Sequence, residues 1–384
     1  MAQKTITRHQ FFLEDARTMS AVEDRSVHLV VTSPPYPMIE MWDDHFSAFN
    51  VAIGDALSRS DAELAFDLMH RELDGVWREL YRVLAPGGIL CINIGDATRT
   101  IQGHFRLYPN HARVIQTCQS IGFSQMPTIL WRKTTNAPNK FMGSGMFPPG
   151  AYVTLEHEYI LIFRKGAKRE FLTDEQKSIR RESAYFWEER NHWFSDVWTG
   201  LPGSMQNLNH SDVRKRSAAF PLTLAYRLIN MFSVKGDTVL DPFLGSGTTM
   251  LAAMCTGRNA VGYEIDQELK SVLLEKIASV PDTAQELIDD RLTAHHLFIK
   301  ERTASKGDLK YINRHYGFPV MTRQEQELCL DRVNTIQFMS GNCFTVEYVN
   351  PATAGHPDRP AAPDADSPAK TAVRPPRGRQ LKLF

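Results

Sequence analysis

Short runs of apolar residues alternate with longer amphipathic segments along this chain. Five apolar runs are bounded by proline, glycine or acidic residues and predict buried strands, at residues 27–31, 88–94, 159–163, 238–240 and 260–263. Two longer segments carry apolar residues at three- and four-residue spacing and predict amphipathic helices, at residues 62–84 and 221–232. Such alternation is typical of an α/β fold, in which helices cover both faces of a mostly parallel sheet.

Composition and cysteine usage exclude several classes of protein. No apolar run approaches the roughly 20 residues of a membrane span, and the amino-terminal residues lack the apolar core of a signal peptide. The five cysteines are scattered without a CxxC pair, so we expect no disulfide scaffold and no metal site. A cytoplasmic protein is the natural interpretation. Residues 351–384 contain seven Pro and seven Ala with few large apolar side chains, which predicts a disordered tail.

A glycine-rich loop follows the fourth predicted strand. Gly245 and Gly247 allow the backbone to approach a ligand closely, and Thr248 or Thr249 is placed to cap the next helix. The loop lacks the lysine of a phosphate-binding P-loop, and Met250 stands where a dinucleotide-binding loop has its third glycine. We therefore expect the loop to contact a ligand that has no phosphate chain.

Glu264 ends the next predicted strand. An acid at this position can accept hydrogen bonds from both hydroxyls of a ribose. A loop without phosphate-binding chemistry, followed by such an acid, fits a nucleoside cofactor that lacks pyrophosphate, and S-adenosylmethionine is the obvious candidate. For Glu264 taken alone, a solvent-facing side chain is the alternative.

A rigid turn follows the first predicted strand, in the sequence Thr32-Ser33-Pro34-Pro35-Tyr36. Each proline fixes its φ angle and removes a backbone donor, while its carbonyl remains free as an acceptor. Acceptors beside an aromatic ring suit an exocyclic amine on a planar base held against that ring. A stiff loop without a ligand is the alternative when the turn is considered alone.

Together the two loops resemble those of the amino-methylating (N4-cytosine/N6-adenine) site-specific DNA methyltransferases. The chain carries TSPPY first and DPFLGSGTT much later, which is similar to the permuted motif order of the β group. Residues 86–88, 131–133 and 157–159 resemble strand-edge elements of the family. The resemblance spans residues 10–280 and implies a Rossmann-like methyltransferase fold with a mostly parallel twisted sheet, helices on both faces and a target-recognition insertion.

The resemblance also implies roles for individual residues. The catalytic residues would be the four of the turn, Ser33, Pro34, Pro35 and Tyr36. The residues that bind S-adenosylmethionine would be Asp15, Phe220, Asp241, Pro242, Phe243, Gly245, Ser246, Gly247, Thr248 and Glu264. Among them, Asp15 matches an acid that contacts the adenine of the cofactor, and Phe220 begins a Phe-Pro element. Arg216 stands where many relatives have a histidine four residues before this Phe, which puts that contact in question.

The implied substrate is double-stranded DNA whose target base is flipped out of the stack. Tyr36 would stack on the extruded base, while Ser33 and the Pro34 carbonyl accept hydrogen bonds from its amine. In the family, Ser-Pro-Pro-Tyr accompanies mostly cytosine N4 and Asp-Pro-Pro-Tyr mostly adenine N6, so Ser33 favours cytosine N4. The alternatives are an N6-adenine enzyme and an inactive relative that binds DNA or cofactor. A restriction-modification system with a cognate endonuclease is the expected context.

Charge is distributed unevenly, although 44 basic and 44 acidic side chains cancel over the whole chain. Residues 1–99 hold 9 basic and 15 acidic side chains, a net of −6, whereas residues 100–220 hold 16 and 10, a net of +6. The overall balance argues against a protein that coats nucleic acid through charge. The basic middle third is the candidate surface for DNA.

An insertion at residues 165–216 is expected to recognise the target sequence. Its candidates for DNA contact are the basic residues Arg180, Arg181, Arg190, Lys215 and Arg216. Its aromatic residues either read bases or form the core of a small subdomain, and these are Tyr185, Phe186, Trp187, Trp193 and Trp198. The Gly- and Pro-rich residues 134–152 are either a mobile loop that closes over DNA or a plain surface loop.

These assignments divide the chain into five parts. They are a catalytic half at residues 1–164, the insertion at 165–216, a cofactor-binding half at 217–280, a C-terminal extension without an assigned role at 281–350, and the tail at 351–384.

Overall fold

The computed structural model describes residues 5–133, 142–201 and 220–350. The strands are β1 Thr5–Phe12, β2 Val27–Thr32, β3 Leu84–Ile94, β4 Ala97–Ile101, β5 His104–Tyr108, β6 Phe123–Gln125, β7 Ile129–Arg132, β8 Met142–Gly143, β9 Ala151–Tyr152, β10 His157–Lys165, β11 Val197–Trp198, β12 Thr238–Asp241, β13 Asn259–Tyr263, β14 Tyr311–Ile312, β15 Pro319–Val320, β16 Arg332–Phe338 and β17 Cys343–Val349. The α-helices are α1 Asp43–Phe49, α2 Val51–Ser58, α3 Ala62–Val83, α4 Asn110–Ile121, α5 Asp174–Glu182, α6 Trp187–Trp193, α7 Leu222–Phe232, α8 Thr248–Met254, α9 Leu269–Ala278 and α10 Val280–Lys306. Lys215, Arg216, the predicted tail and part of the Gly- and Pro-rich stretch lie outside the described residues.

One large sheet organises these elements, in the strand order β11-β7-β10-β3-β2-β12-β13-β1-β17-β16. Its centre is the parallel run β3, β2, β12, β13 and β1. Antiparallel strands extend it on both sides, with β10 beside β3 and β17 beside β1. The predicted α/β architecture is confirmed, and the predicted helices at residues 62–84 and 221–232 are present as α3 and α7.

The strand predicted at residues 159–163 is present as β10 but runs antiparallel to β3. It also pairs antiparallel with β7, so it returns along the sheet without a helical crossover. Ile160 and Ile162 belong to the core on one face, and Leu161 and Phe163 to the core on the other. Because both faces are buried, the run is apolar throughout, and its pattern does not distinguish a parallel from an antiparallel strand.

Helices cover both faces of the sheet because its central strands are apolar on both sides. Along β2, Leu29 and Val31 join a core that includes Leu228 of α7, whereas Val30 joins a core that includes Trp77 of α3. Within the described ranges, no helix combines the length and the apolar character that a membrane crossing needs.

The parallel strands all end at one edge of the sheet, which we call the carboxyl edge. Thr32 ends β2, Asp241 ends β12 and Tyr263 ends β13, and these three strands are neighbours. The rigid turn, the glycine loop and Glu264 follow these ends directly. Parallel strand pairing therefore brings together three segments that are far apart in the sequence.

A further core joins the insertion to the C-terminal extension. Phe186 at the start of α6 is fully buried against Ile288 of α10 and against Phe318, Val320 and Leu328 beyond that helix. Farther along the chain, β17 pairs with β1 and β16 pairs with β17, which adds two strands to the main sheet. Residues 281–350 therefore contribute both to the sheet and to the body that carries the insertion.

Ion pairs with little exposure hold this accessory body together. Glu189 of α6 accepts from the Arg291 guanidinium at 2.5 and 2.7 Å, and Tyr226 Oη lies 3.2 Å from the same guanidinium. Glu188 lies 2.7 Å from Nδ1 of His295, whose Nε2 lies 3.1 Å from the Pro319 carbonyl. Both glutamates at the start of α6 thus have their side-chain partners on one face of α10.

The aromatic residues of the insertion divide between core and surface. Trp193 and Trp198 are buried, with 6% and 2% of their surface exposed, and Trp198, on β11, belongs to the main core of the sheet and not to a separate subdomain core. Trp187 is 40% exposed and stacks on Phe298 of α10 at 5.6 Å between ring centroids.

Replacing Arg291 should destabilise the fold, because it leaves Glu189 without its cation in a nearly buried position. Removing one partner of a buried ion pair typically costs about 3–5 kcal/mol. We expect Arg291→Ala to lower the free energy of unfolding by this amount in urea titrations followed by tryptophan fluorescence. The control is Arg314→Ala, whose side chain is 67% exposed and pairs with Glu327. That change should cost less than about 1 kcal/mol, and equal losses would contradict the interpretation.

Candidate active site

A cavity of about 580 Å³ opens at the carboxyl edge. All four residues of the rigid turn line it, as do nine of the ten predicted cofactor residues. Those nine are Asp15, Phe220, Asp241, Pro242, Phe243, Gly245, Ser246, Thr248 and Glu264. The turn and the glycine loop therefore face a single space.

Gly247 is the one predicted cofactor residue that does not line the cavity. Its φ angle is +86°, and a Cβ at this position would lie 2.0 Å from Cδ1 of Leu273. Gly247 is needed for the tight turn into α8, where it is the residue before the helix. The expected threonine cap is wrong, because no side chain caps α8 and Thr249 Oγ1 instead donates to the Val31 carbonyl at 3.1 Å.

Asp241 connects the glycine loop to the strand that carries the turn. Its carboxylate accepts from Thr32 Oγ1 at 2.7 Å and from the Phe243 amide at 3.0 Å. Only 3% of Asp241 is exposed, and burial raises its pKa from 3.8 to about 6. A carboxylate with a raised pKa in a cavity wall is stabilised by a cation, so it is suited to a positively charged ligand.

Glu264 lies in the cavity wall and accepts hydrogen bonds from the glycine loop and from the segment that follows β13. One carboxylate oxygen accepts from the Gly245 amide at 2.7 Å, and the other accepts from the Asp266 amide at 2.8 Å. Burial raises the pKa of Glu264. The side chain therefore faces the cavity rather than the outer surface.

The cavity wall as a whole is rich in acidic side chains. Six carboxylates line it, those of Asp15, Asp44, Glu72, Asp241, Glu264 and Asp266. Arg17 lies among them, with Nε 2.9 Å and Nη2 2.6 Å from Oδ2 of Asp15, and it pairs with Glu72 at 2.5 Å. The guanidinium also stacks over the Phe49 ring of α1 at 4.6 Å. Arg17 thereby ties Asp15 to the helix that covers the cavity.

Tyr36 is held by a buried polar cluster that the sequence analysis did not identify. Its hydroxyl donates to Glu158 Oε2 at 3.0 Å and accepts from Asn93 Nδ2 at 2.9 Å. Ser33 Oγ lies 3.2 Å from the same hydroxyl, and Lys133 forms an ion pair with Glu158. Burial, with the adjacent Glu158 carboxylate, raises the pKa of Tyr36 well above its usual value, so the phenol stays protonated as a donor.

The sequence does contain a signal for this cluster. Glu158 directly precedes the apolar run at residues 159–163 of β10, and it is only 7% exposed. Asn93 similarly interrupts the apolar run of β3. A polar residue in a buried strand needs a partner, although the identity of the partner depends on strand pairing that the local pattern does not contain.

Comparison with known proteins gives the family. The protein-family model described as DNA methylase matches residues 27–275, which is more than half of the chain. The chain belongs to this family of amino-methylating DNA methylases. The Type II methyltransferase M.MthZI of Methanothermobacter thermautotrophicus is 51% identical over 348 residues, covering 90% of this chain and 97% of that protein. The Type II methyltransferase M.MjaI of Methanocaldococcus jannaschii is 52% identical over 282 residues, covering 71% and 91%.

Solved structures support the same assignment. The protein TTHA0409 of Thermus thermophilus, determined in complex with S-adenosyl-L-methionine, is 33% identical to this DNA methylase. The superposition has a TM-score of 0.54 and covers 71% of this chain and 95% of that one. The predicted methyltransferase fold is confirmed, and the substrate of this methylase is DNA.

The predicted DNA-contacting arginines of the methylase that the structure describes are exposed side chains on α5 and α6. Arg180 and Arg181 are in the last turn of α5, and Arg190 is in α6. Arg180 lies over the Phe171 ring at 4.9 Å, and Arg190 over Phe194 at 4.6 Å. Aromatic stacking orients these two guanidinium groups and leaves them accessible at the surface.

The described part of the methylase contains no group of three or more His, Cys, Asp or Glu side chains placed to hold a metal ion. His157, which lies between two glutamates, packs its ring edge-on against Tyr159 at 4.9 Å.

The pKa of Asp241 predicts a dependence of stability on pH. Its folded pKa of about 6 lies above the ordinary 3.8, so the protonated form favours folding. This contribution is present below pH 3.8 and is lost as the pH rises through 6. Between pH 4 and pH 7, the free energy of unfolding should fall by about 2 kcal/mol more in the ligand-free protein than in Asp241→Asn. A difference between the two proteins that stays constant with pH would contradict the assignment.

Proposed function

We propose that this methylase transfers a methyl group from S-adenosylmethionine to the exocyclic N4 of a cytosine flipped out of double-stranded DNA. The observation that carries the proposal is the single cavity shared by the Ser-Pro-Pro-Tyr turn and the glycine loop, joined by the hydrogen bond from Thr32 to Asp241. One loop suits the cofactor and the other suits a planar base that bears an amine.

The cavity fits the cofactor in charge and in shape. S-adenosylmethionine, when bound, supplies an electrophilic methyl group on a positively charged sulfonium. The acidic lining of the cavity attracts such a cation and repels the phosphates of a dinucleotide. Asp241 and Glu264 would hold the polar groups of the cofactor, while Phe220 and Phe243 supply apolar wall.

The turn provides the groups that hold the target amine. Ser33 Oγ and the Pro34 carbonyl accept hydrogen bonds from its N–H groups, which increases electron density on the nitrogen and orients its lone pair. Tyr36 stacks on the flipped base. Because Asn93 and Glu158 fix the hydroxyl of Tyr36, the ring keeps its position when the base arrives. No covalent intermediate with a cysteine is needed, and the five cysteines are all buried and free.

Target recognition is assigned to the accessory body. The insertion at residues 165–216 presents Arg180, Arg181 and Arg190 on its surface, and α10 supports it from behind. Guanidinium groups of this kind position the DNA backbone, while other side chains contact base edges. The names of the Type II relatives support a role in a restriction-modification system with a cognate endonuclease.

The choice of base rests on Ser33, which stands where N6-adenine enzymes of the family mostly carry aspartate. We expect DNA from a host that expresses this chain to contain N4-methylcytosine when its nucleosides are analysed by mass spectrometry. N6-methyladenine without N4-methylcytosine would contradict the cytosine assignment and leave the methyltransferase assignment intact. Sequencing of the modified positions then gives the recognition site.

Substitutions of Tyr36 test the site. With labelled S-adenosylmethionine, Tyr36→Ala should abolish methyl transfer to DNA while the dissociation constant of the cofactor changes less than about twofold. Tyr36→Phe keeps the stacking ring but loses the hydrogen bonds to Glu158 and Asn93. A lost hydrogen bond of this kind costs about 1–1.5 kcal/mol, so kcat should fall about tenfold. Full activity in Tyr36→Ala would refute the assignment.

Substitution of Glu158 tests whether its hydrogen bond to Tyr36 contributes to methyl transfer. If Glu158 acts through Tyr36, Glu158→Ala lowers kcat, and the double variant with Tyr36→Phe is no slower than the more affected single variant. The control is Glu156→Ala, because this nearby carboxylate is 44% exposed and pairs with Arg132 on the surface. Its kcat should equal that of the unmodified protein. Additive losses in the double variant would show that Glu158 acts independently of Tyr36.

A further inference from the structure

A hairpin without charged residues lies between β7 and β10, at residues 142–153. Strands β8 and β9 form it, and the Ser144 amide donates to the Gly150 carbonyl at 2.9 Å. Three of its large apolar side chains are exposed, Met146 by 84%, Phe147 by 77% and Val153 by 86%. Met146 and Phe147 are adjacent at the tip of the hairpin and mark it as an interaction site, because the exposure of large apolar side chains to water is unfavourable.

The hairpin connects strand ends that lie at the carboxyl edge, beside the candidate active site. Tyr159 of β10 pairs with Ile94 at the end of β3, so β10 begins at the edge where the parallel strands end. Arg132, at the end of β7, pairs with His157 at the same edge. The hairpin follows β7 in the chain and precedes β10, whose Glu158 holds Tyr36.

A second hairpin connects this one to the cavity wall. Tyr152 stacks on Phe105 of β5, with ring centroids 4.3 Å apart and ring planes within 6°. On the paired strand β4, Arg99 forms a bidentate ion pair with Asp43 at 2.9 and 2.6 Å. Asp43 begins α1, the helix that covers the cavity. The apolar tip thus belongs to a packed arrangement around the entrance of the active site.

The composition of the hairpin indicates which part of DNA it meets. A segment that gains affinity from the charge of the DNA backbone carries Lys or Arg, and residues 142–153 contain neither. Apolar side chains contact DNA favourably where a base step is opened and stacked surface is exposed. Flipping of the target base creates such an opening in the duplex.

We propose that Phe147 and Met146 form an apolar wedge that enters the base stack of the substrate, in the space that the flipped base leaves. The inference rests on the proposed function, since it requires duplex DNA and an extruded base. The wedge stabilises the flipped state by covering the exposed faces of the neighbouring bases. It does not touch the reacting amine, so it affects access to the base and not the chemistry.

The test compares two DNA duplexes that differ only opposite the target base. In one duplex the target base, once mapped, is normally paired, and in the other it faces an abasic site and is already unpaired. For Phe147→Ala, and for the double variant with Met146→Ala, kcat/KM should fall about tenfold or more on the paired duplex. On the abasic duplex it should stay within about twofold of the unmodified protein.

The matched control is Phe338→Ala, which removes a phenylalanine that is 62% exposed. It lies on β16, the outermost strand on the side of the sheet farthest from β7 and β11. It should leave kcat/KM unchanged on both duplexes. Equal losses of the wedge variants on both duplexes, or no loss on the paired duplex, would overturn the proposal. So would a changed cofactor affinity or a changed oligomeric state, which would make the tip a cavity lid or a subunit contact. If the unmodified protein methylates neither duplex, the proposed function itself fails.

Discussion

The parallel pairing of β2 with β12 is the constraint on which the active site depends. It aligns Leu29 with Val239 and Val30 with Leu240, and the two strands then end together. The hydrogen bond from Thr32 to Asp241 joins residues 209 positions apart in the sequence. Thr249 adds a second bond to β2 from the helix after the glycine loop. The Ser-Pro-Pro-Tyr turn and the glycine loop are therefore held in fixed register by the sheet.

The sequence predicted much of this arrangement, because the information was local. The five apolar runs are all strands, and the chemistry of each loop follows from its own residues. Features that depend on pairing between distant segments of the chain could not be predicted from local patterns. The direction of β10, the partners of Glu158, and the association of Phe186 with α10 are all set by contacts between remote segments.

Gly247 shows a different limit of motif reasoning. The sequence motif does not distinguish it from Gly245, yet the position that a side chain would take at Gly247 faces Leu273 and not the cavity. A glycine is required wherever the backbone turns sharply or is approached closely, whether a ligand or another side chain is the neighbour. The motif therefore identifies the loop correctly, but it does not separate the residues that face the cavity from those that shape the backbone.

Electrostatics separates the molecule into regions with different tasks. The acidic excess of the first third supplies Asp15, Asp44 and Glu72 to the cavity, where a cation is favoured. The basic excess of the middle third is divided between residues 100–164, with a net of +4, and the insertion at 165–216, with a net of +2. The zero net charge is thus a sum over two opposed regions, and each acts at close range, within the Debye length of about 8 Å in physiological salt.

The joint core of the insertion and α10 has an evolutionary consequence. Glu189 pairs with Arg291 and Glu188 contacts His295, both on a helix about a hundred positions later, so the contacts of the insertion depend on the C-terminal extension. Transfer of this segment alone into a relative would leave the Glu189 carboxylate without its cation, and Glu188 without its hydrogen-bond partner, in a poorly solvated place. Under the proposed role of the insertion in target recognition, new specificities among its relatives are therefore expected to arise by correlated change, in which the insertion and the C-terminal extension diverge together.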